Sequence, residues 1–139
     1  MSESIKVQQR ATWLGYLGTI PFMAAGLLAT DLSPVNILFS IQTYGAIILT
    51  FIGAIHWGRA INNNTPSLLL ISIIPSLIAW VSLLIPANYG LPLLISGFLS
   101  VIIFDYQQYS SLTWFRKLRM RLTLIVCSAL LVSWLINLR

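Results

Sequence analysis

The segment Gly53-Ala54-Ile55-His56-Trp57-Gly58-Arg59 carries the chain's single histidine at the end of a long apolar run. At 100° per helical residue, Gln42, Gly45, Leu49, Gly53, His56 and Arg59 share a stripe roughly 120° wide. Glycines on such a stripe admit a neighbouring helix closely, and Gln42 and His56 can hydrogen-bond across the contact. The stripe also reads as a ligand site, because ionisable groups in membrane helices face the bundle interior or an aqueous pocket. Arg59 offers a forked donor, His56 a donor or acceptor, and Trp57 an amphipathic wall, which suits the head group of a quinone or a phospholipid. His56 lies one turn from Arg59, near the end of its apolar run, where water is expected to reach it. Asp105 is expected at the same depth, in a salt bridge with Arg59, Arg119 or Arg121; pairing with His56 is the alternative.

A second cluster mixes cations with aromatic rings. Between Asp105 and Arg121 lie Tyr106, Tyr109, Trp114 and Phe115 with Arg116, Lys117, Arg119 and Arg121. That combination favours the lipid head-group layer, where cations attract anionic lipid. The stretch is read as an interfacial loop or short surface helix, with Trp114, Arg116, Lys117, Arg119 and Arg121 meeting lipid or the acidic patch of a partner protein.

Other chemistries lack the necessary residues. One histidine and one cysteine cannot assemble a zinc site or an iron–sulfur cluster, so no metal ligands are assigned. No nucleophile–base–acid set and no phosphate-binding glycine loop is present, so no catalytic residue is assigned and enzymatic activity is not expected. No cofactor is expected, with quinone as the one exception. Cys127 has no partner for an intrachain disulfide.

These residues need elements to hold them, and composition says which. Of 139 residues, 58% are hydrophobic and 8% charged, against about 25% charged in soluble domains. So small a fold cannot hide that much apolar surface from water. The net charge of +5 does not indicate nucleic acid, because the cations sit at the margins of apolar runs. A bilayer core requires roughly 20 apolar residues per helix. Five segments qualify: Ala11 to Thr30, Val35 to Arg59, Ser67 to Ile85, Leu91 to Tyr106, and Leu118 to Leu138. Backbone groups in lipid must bond internally, so helices are the default, and no barrel-type alternation is present. The fold class is an all-α bundle of five transmembrane helices forming one polytopic domain over residues 1–139.

The breaks are Asp31-Leu32-Ser33-Pro34, Asn62-Asn63-Asn64-Thr65-Pro66 and Pro86-Ala87-Asn88-Tyr89-Gly90. Lys6 and Arg10 before the first run resemble a signal peptide, but no cleavage site follows, so the run is read as a span. One side of the membrane receives Lys6, Arg10, Arg59, Arg116, Lys117, Arg119 and Arg121, and the other only Arg139. The positive-inside rule then places the N-terminus in the cytoplasm and the C-terminus outside.

The runs Leu14-Gly15-Tyr16-Leu17-Gly18-Thr19-Ile20-Pro21-Phe22, Gly53-Ala54-Ile55-His56-Trp57-Gly58 and Ile74-Pro75-Ser76-Leu77-Ile78-Ala79-Trp80, with the ending Trp114 to Thr123, resemble a bacterial family of unknown function related to mitochondrial transmembrane protein 69. The resemblance covers almost the whole chain. It implies a multi-pass protein of the bacterial inner membrane and carries over no activity, substrate or functional residue. The leading expectation is an accessory or assembly subunit of a larger membrane complex, with the bilayer and that complex, or further copies of the chain, as partners. The alternative is a quinone- or phospholipid-binding protein using His56, Trp57, Arg59, Gln42 and Asp105. A small oligomeric transporter is the weaker third reading.

Overall fold

The computed structural model describes residues 2–28 and 34–138, and these fold as six helices. They are α1 (Glu3–Leu17), α2 (Ile20–Leu28), α3 (Pro34–Asn62), α4 (Pro66–Leu84), α5 (Ala87–Gln108) and α6 (Thr113–Asn137). Helices α3 to α6 are each long and apolar enough to cross a membrane. The protein is a multi-pass, all-α membrane bundle. The turn expected at Asp31-Leu32-Ser33 lies outside the described residues.

The first expected span is not one helix but two. Pro21 lacks the N–H that would bond the Leu17 carbonyl, and its ring crowds that position. The helix therefore stops at Leu17, with the Gly18 N–H bonded back to Leu14 and the Thr19 N–H to Tyr16. The carbonyl of Gly18 left by this break accepts a bond from the Tyr44 hydroxyl on α3 at 3.0 Å.

Two other prolines leave the same signature, and in each case a neighbouring helix supplies the missing donor. Pro86 cannot donate to Ser82, four residues earlier. The Gln42 amide, buried on α3, donates to the Ser82 carbonyl at 2.5 Å and to that of Ile85 at 3.2 Å. Pro92, within α5, cannot donate to Asn88, and the Trp134 indole of α6 bonds the Asn88 carbonyl at 2.9 Å. Water is absent from a bilayer core, so a freed carbonyl must find a protein donor.

Small residues set the helix spacing. A Cβ on Gly53 would stand 2.8 Å from the Ser72 carbonyl oxygen and 3.2 Å from Pro75 Cβ, so α3 and α4 touch backbone to backbone there. Gly97 of α5 receives the Leu49 side chain, and Gly15 of α1 receives Leu122. The core is a continuous cluster including Phe22, Ile41, Leu49, Leu91, Leu94, Phe98, Val126 and Leu130. The hydroxyls of Ser72, Ser82, Ser96, Ser100 and Ser133 bond carbonyls of their own helices rather than bridging between helices.

The expected interfacial segment is corrected to a short turn. Helix α6 already starts at Thr113, and only residues 109–112 separate it from α5. From Thr113 to Leu122 the chain has no glycine or proline and is rich in Arg, Lys, Leu and Met, so the helix runs past its apolar stretch.

Candidate functional site

Helices α3, α5 and α6 each bring one polar residue into the core at the same end of the bundle. His56, Asp105 and Arg119 are 2%, 2% and 6% exposed. Each sits on a buried stripe spaced three and four residues apart: Leu49, Ile52, His56 and Ala60 on α3; Leu94, Phe98, Val101 and Asp105 on α5; Arg119, Thr123, Val126, Leu130 and Ser133 on α6. The stripes converge on one carboxylate. The Nε2 of His56 lies 2.9 Å from Asp105 Oδ1, and the Nε of Arg119 donates to Oδ2 at 2.8 Å. Burying a charge is costly unless it is paired and hydrogen-bonded, and both oxygens of Asp105 are occupied.

One polar atom of the cluster is left over. Nδ1 of His56 is buried and has no hydrogen-bond partner among the described residues. Around the ring stand Phe104, edge-on at 5.1 Å between centroids, and Tyr109 at 5.9 Å. Arg59 lies over the other ring of this pair, its Cζ 4.3 Å from the Tyr109 centroid. Tyr109 continues to Phe115 at 4.9 Å, and Phe115 to Trp114 at 5.7 Å. Burial pushes the Tyr109 phenol above its usual pKa, opposed by the Arg59 guanidinium beside it.

Beside the cluster is a cavity of about 390 Å³ between α1, α2, α3, α5 and α6. Its wall is apolar, with Ala11, Leu14, Ile55, Phe98, Phe115, Leu122 and Val126 among the lining residues; Thr19 and Thr123 are the lining hydroxyls and Arg119 the lining charge.

Only part of the expected stripe takes part. His56 and Asp105 meet, but His56 is sealed by protein rather than reached by water, which corrects that expectation. Asp105 selects Arg119 from its three expected partners and takes His56 as well. Gln42 lies fourteen residues before His56, about 21 Å along the helix, and serves the Ser82 and Ile85 carbonyls instead. Trp57 is 45% exposed on the outer face of α3 and does not wall the His56 site. Arg59 flanks the site through Tyr109. Among the residues expected at a lipid or partner surface, Arg119 is turned inward, whereas Lys117 and Arg121 are exposed and Trp114 and Arg116 half-buried. Phe104 and Tyr109 were not singled out from the sequence as neighbours of His56. The signal that finds Arg119 is its spacing: four residues before buried Thr123, it heads the inward stripe.

Comparison with known proteins places this arrangement among uncharacterised relatives. The profile of the family described as "Protein of unknown function (DUF3429)" matches residues 7–135. Transmembrane protein 69 of Xenopus tropicalis is 36% identical over 137 residues, covering 91% of this chain and 54% of that protein. The chain thus spans about half the length of that curated relative. No solved structure matches.

Proposed function

The chain belongs to the DUF3429 family of proteins of unknown function, and on that premise we propose that it is a quinone-binding protein of the bacterial inner membrane, with its N-terminus in the cytoplasm. The observation that carries this reading is the apolar cavity with Arg119 in its wall, backed by Asp105 and His56. A volume of about 390 Å³ lies within the range of small-molecule sites, which combine apolar linings with a few placed polar groups. The wall between α1, α3 and α6 takes an isoprenoid tail or ring by burial of apolar area. Arg119 engages Asp105 through Nε, and its terminal N–H groups are the donors on hand for a quinone carbonyl. Asp105 already neutralises Arg119, so an uncharged carbonyl head matches this site better than a phosphodiester does.

Native mass spectrometry of the protein gently extracted from its own membrane, with quinone extraction in parallel, tests the proposal. The expected result is one quinone per chain, lost in Ala11→Trp, which fills the cavity from α1. Arg119→Lys, which keeps the charge and loses the fork, is expected to weaken retention while the helix content holds. Recovery without quinone in stoichiometric association with larger membrane subunits would overturn this reading in favour of an accessory subunit.

A further inference from the structure

A groove separate from the cavity lies at the charged end of the bundle, between the last turn of α5 and the first turns of α6. It encloses about 240 Å³ and is lined by Tyr106, Thr113, Arg116, Lys117, Met120 and Arg121. We propose that this groove is a binding site for the phosphate head of an anionic phospholipid, independent of the quinone reading.

Three observations converge on an anion. First, the cations here meet no acid among the described residues. Among the described residues the acids are Glu3, bound to Lys6 at 2.9 Å, and Asp105, whose two oxygens are taken by His56 and Arg119. Arg116, Lys117 and Arg121 therefore face one groove with no carboxylate partner among the described residues. Second, Lys117 and Arg121 stand four apart on one helix face, where like charges repel; an anion between them converts that repulsion into attraction. Third, Arg116 is held in place but not satisfied. Its Cζ rests 3.9 Å from the Tyr106 ring centroid, while its buried Nε has no hydrogen-bond partner among the described residues. Stacking on Tyr106 fixes the plane of the guanidinium at the groove wall, and a guanidinium so held suits a planar, two-point contact with a phosphate.

The rest of the groove selects a lipid over a soluble phosphate. Tyr106 and Met120 are exposed apolar surface beside the cations, so the occupant has an apolar body adjoining its charged head. The site lies where α5 and α6 leave their apolar stretches, at head-group depth, and the indole of Trp114 sits in the same turn. Thr113 adds a hydroxyl donor at the rim. Arg119, one turn away, is withdrawn to Asp105 and contributes nothing here.

The experiment uses the full chain in nanodiscs of phosphatidylcholine alone or mixed with phosphatidylglycerol, with retained lipid read by native mass spectrometry after ejection. The wild-type protein is expected to retain phosphatidylglycerol in preference to phosphatidylcholine. Lys117→Gln with Arg121→Gln removes two exposed cations, each contributing about a fivefold factor at an anionic surface. That double variant is expected to lose the preference, whereas Lys117→Arg with Arg121→Lys keeps it. Equal retention of the two lipids by the wild-type protein, or an undiminished preference in the double glutamine variant, overturns the proposal. Displacement of the lipid by millimolar inorganic phosphate would assign the groove to a free phosphate. An acidic protein subunit that co-purifies with the wild type and is lost in the glutamine variant, without any lipid preference, would assign it to a protein partner.

Discussion

The three residues at the centre of this bundle make opposite demands. A lone Asp105 or Arg119 in the core would be costly to keep charged; together, with His56 on the second carboxylate oxygen, they join α3, α5 and α6 at one point. Removing one partner exposes that cost. Asp105→Asn leaves Arg119 buried without its counter-charge and is expected to lower stability by about 3–5 kcal/mol, read as unfolding in mixed detergent micelles. His56→Ala keeps the Arg119–Asp105 pair and removes the imidazole contact with the second carboxylate oxygen, with an expected loss of about 1–3 kcal/mol. The double replacement Asp105→Leu with Arg119→Met removes both charges and is expected to recover most of the loss while abolishing quinone retention. Equal stability of Asp105→Asn and the wild type would show that the carboxylate is not paired in the membrane. Gln42 works differently, as a substitute for a proline's missing N–H. Gln42→Leu strands the Ser82 and Ile85 carbonyls and is expected to cost about 1–3 kcal/mol, with quinone retention unchanged.

Among the helices, the close approach of α3 to α4 and the break between α1 and α2 shape the molecule. Two glycines of α3 give opposite expectations from the same substitution. At Gly53 an added Cβ meets backbone oxygen of α4 and the Pro75 ring, neither of which can yield easily. Gly53→Ala is expected to destabilise the bundle by about 1–3 kcal/mol. At Gly58 nothing lies within 4 Å of the new carbon, so Gly58→Ala is expected to stabilise α3 by up to about 1 kcal/mol. Thermal unfolding of both variants in one detergent checks the pair, and a loss at Gly58 equal to that at Gly53 would contradict the packing. The α1–α2 break brings Thr19 and Phe22 to the cavity wall beside Ala11 and Leu14, so the proline that interrupts the first span also shapes the pocket.

The whole molecule is polarised. The α3–α4 turn, the α5–α6 turn with the ion cluster, and the basic groove occupy one end, while the α4–α5 turn, tied to α6 through Asn88, occupies the other. Seven of the eight Lys and Arg residues belong to segments at the first end, which supports placing it in the cytoplasm. With Cys127 replaced by serine, a cysteine at exposed Asn63 is expected to react with an impermeant thiol reagent only from the cytoplasmic side. A cysteine at exposed Tyr89 is expected to react only from the opposite side. Labelling of both positions from one side would reject the arrangement.

The membrane class, the helical character and the four long helices follow from local information, because a bilayer imposes length and apolarity on each segment separately. The inward stripe of α3 was legible too: Gln42, Gly45, Leu49, Gly53 and His56, placed on one face by helical spacing, are all buried. Which polar residues meet was not, because convergence depends on how helices distant in sequence are rotated and offset. Gln42 shares a face with His56, yet about 21 Å of helix rise separates them, and Pro86, forty-four positions later, creates the carbonyl that claims its amide. Arg116, Arg119 and Arg121 are alike in composition, and α6's rotation against α5 alone turns Arg119 to Asp105 and leaves the other two at the groove. The cavity has no sequence signature at all, since it is the space left when a proline-broken first segment packs against α3 and α6.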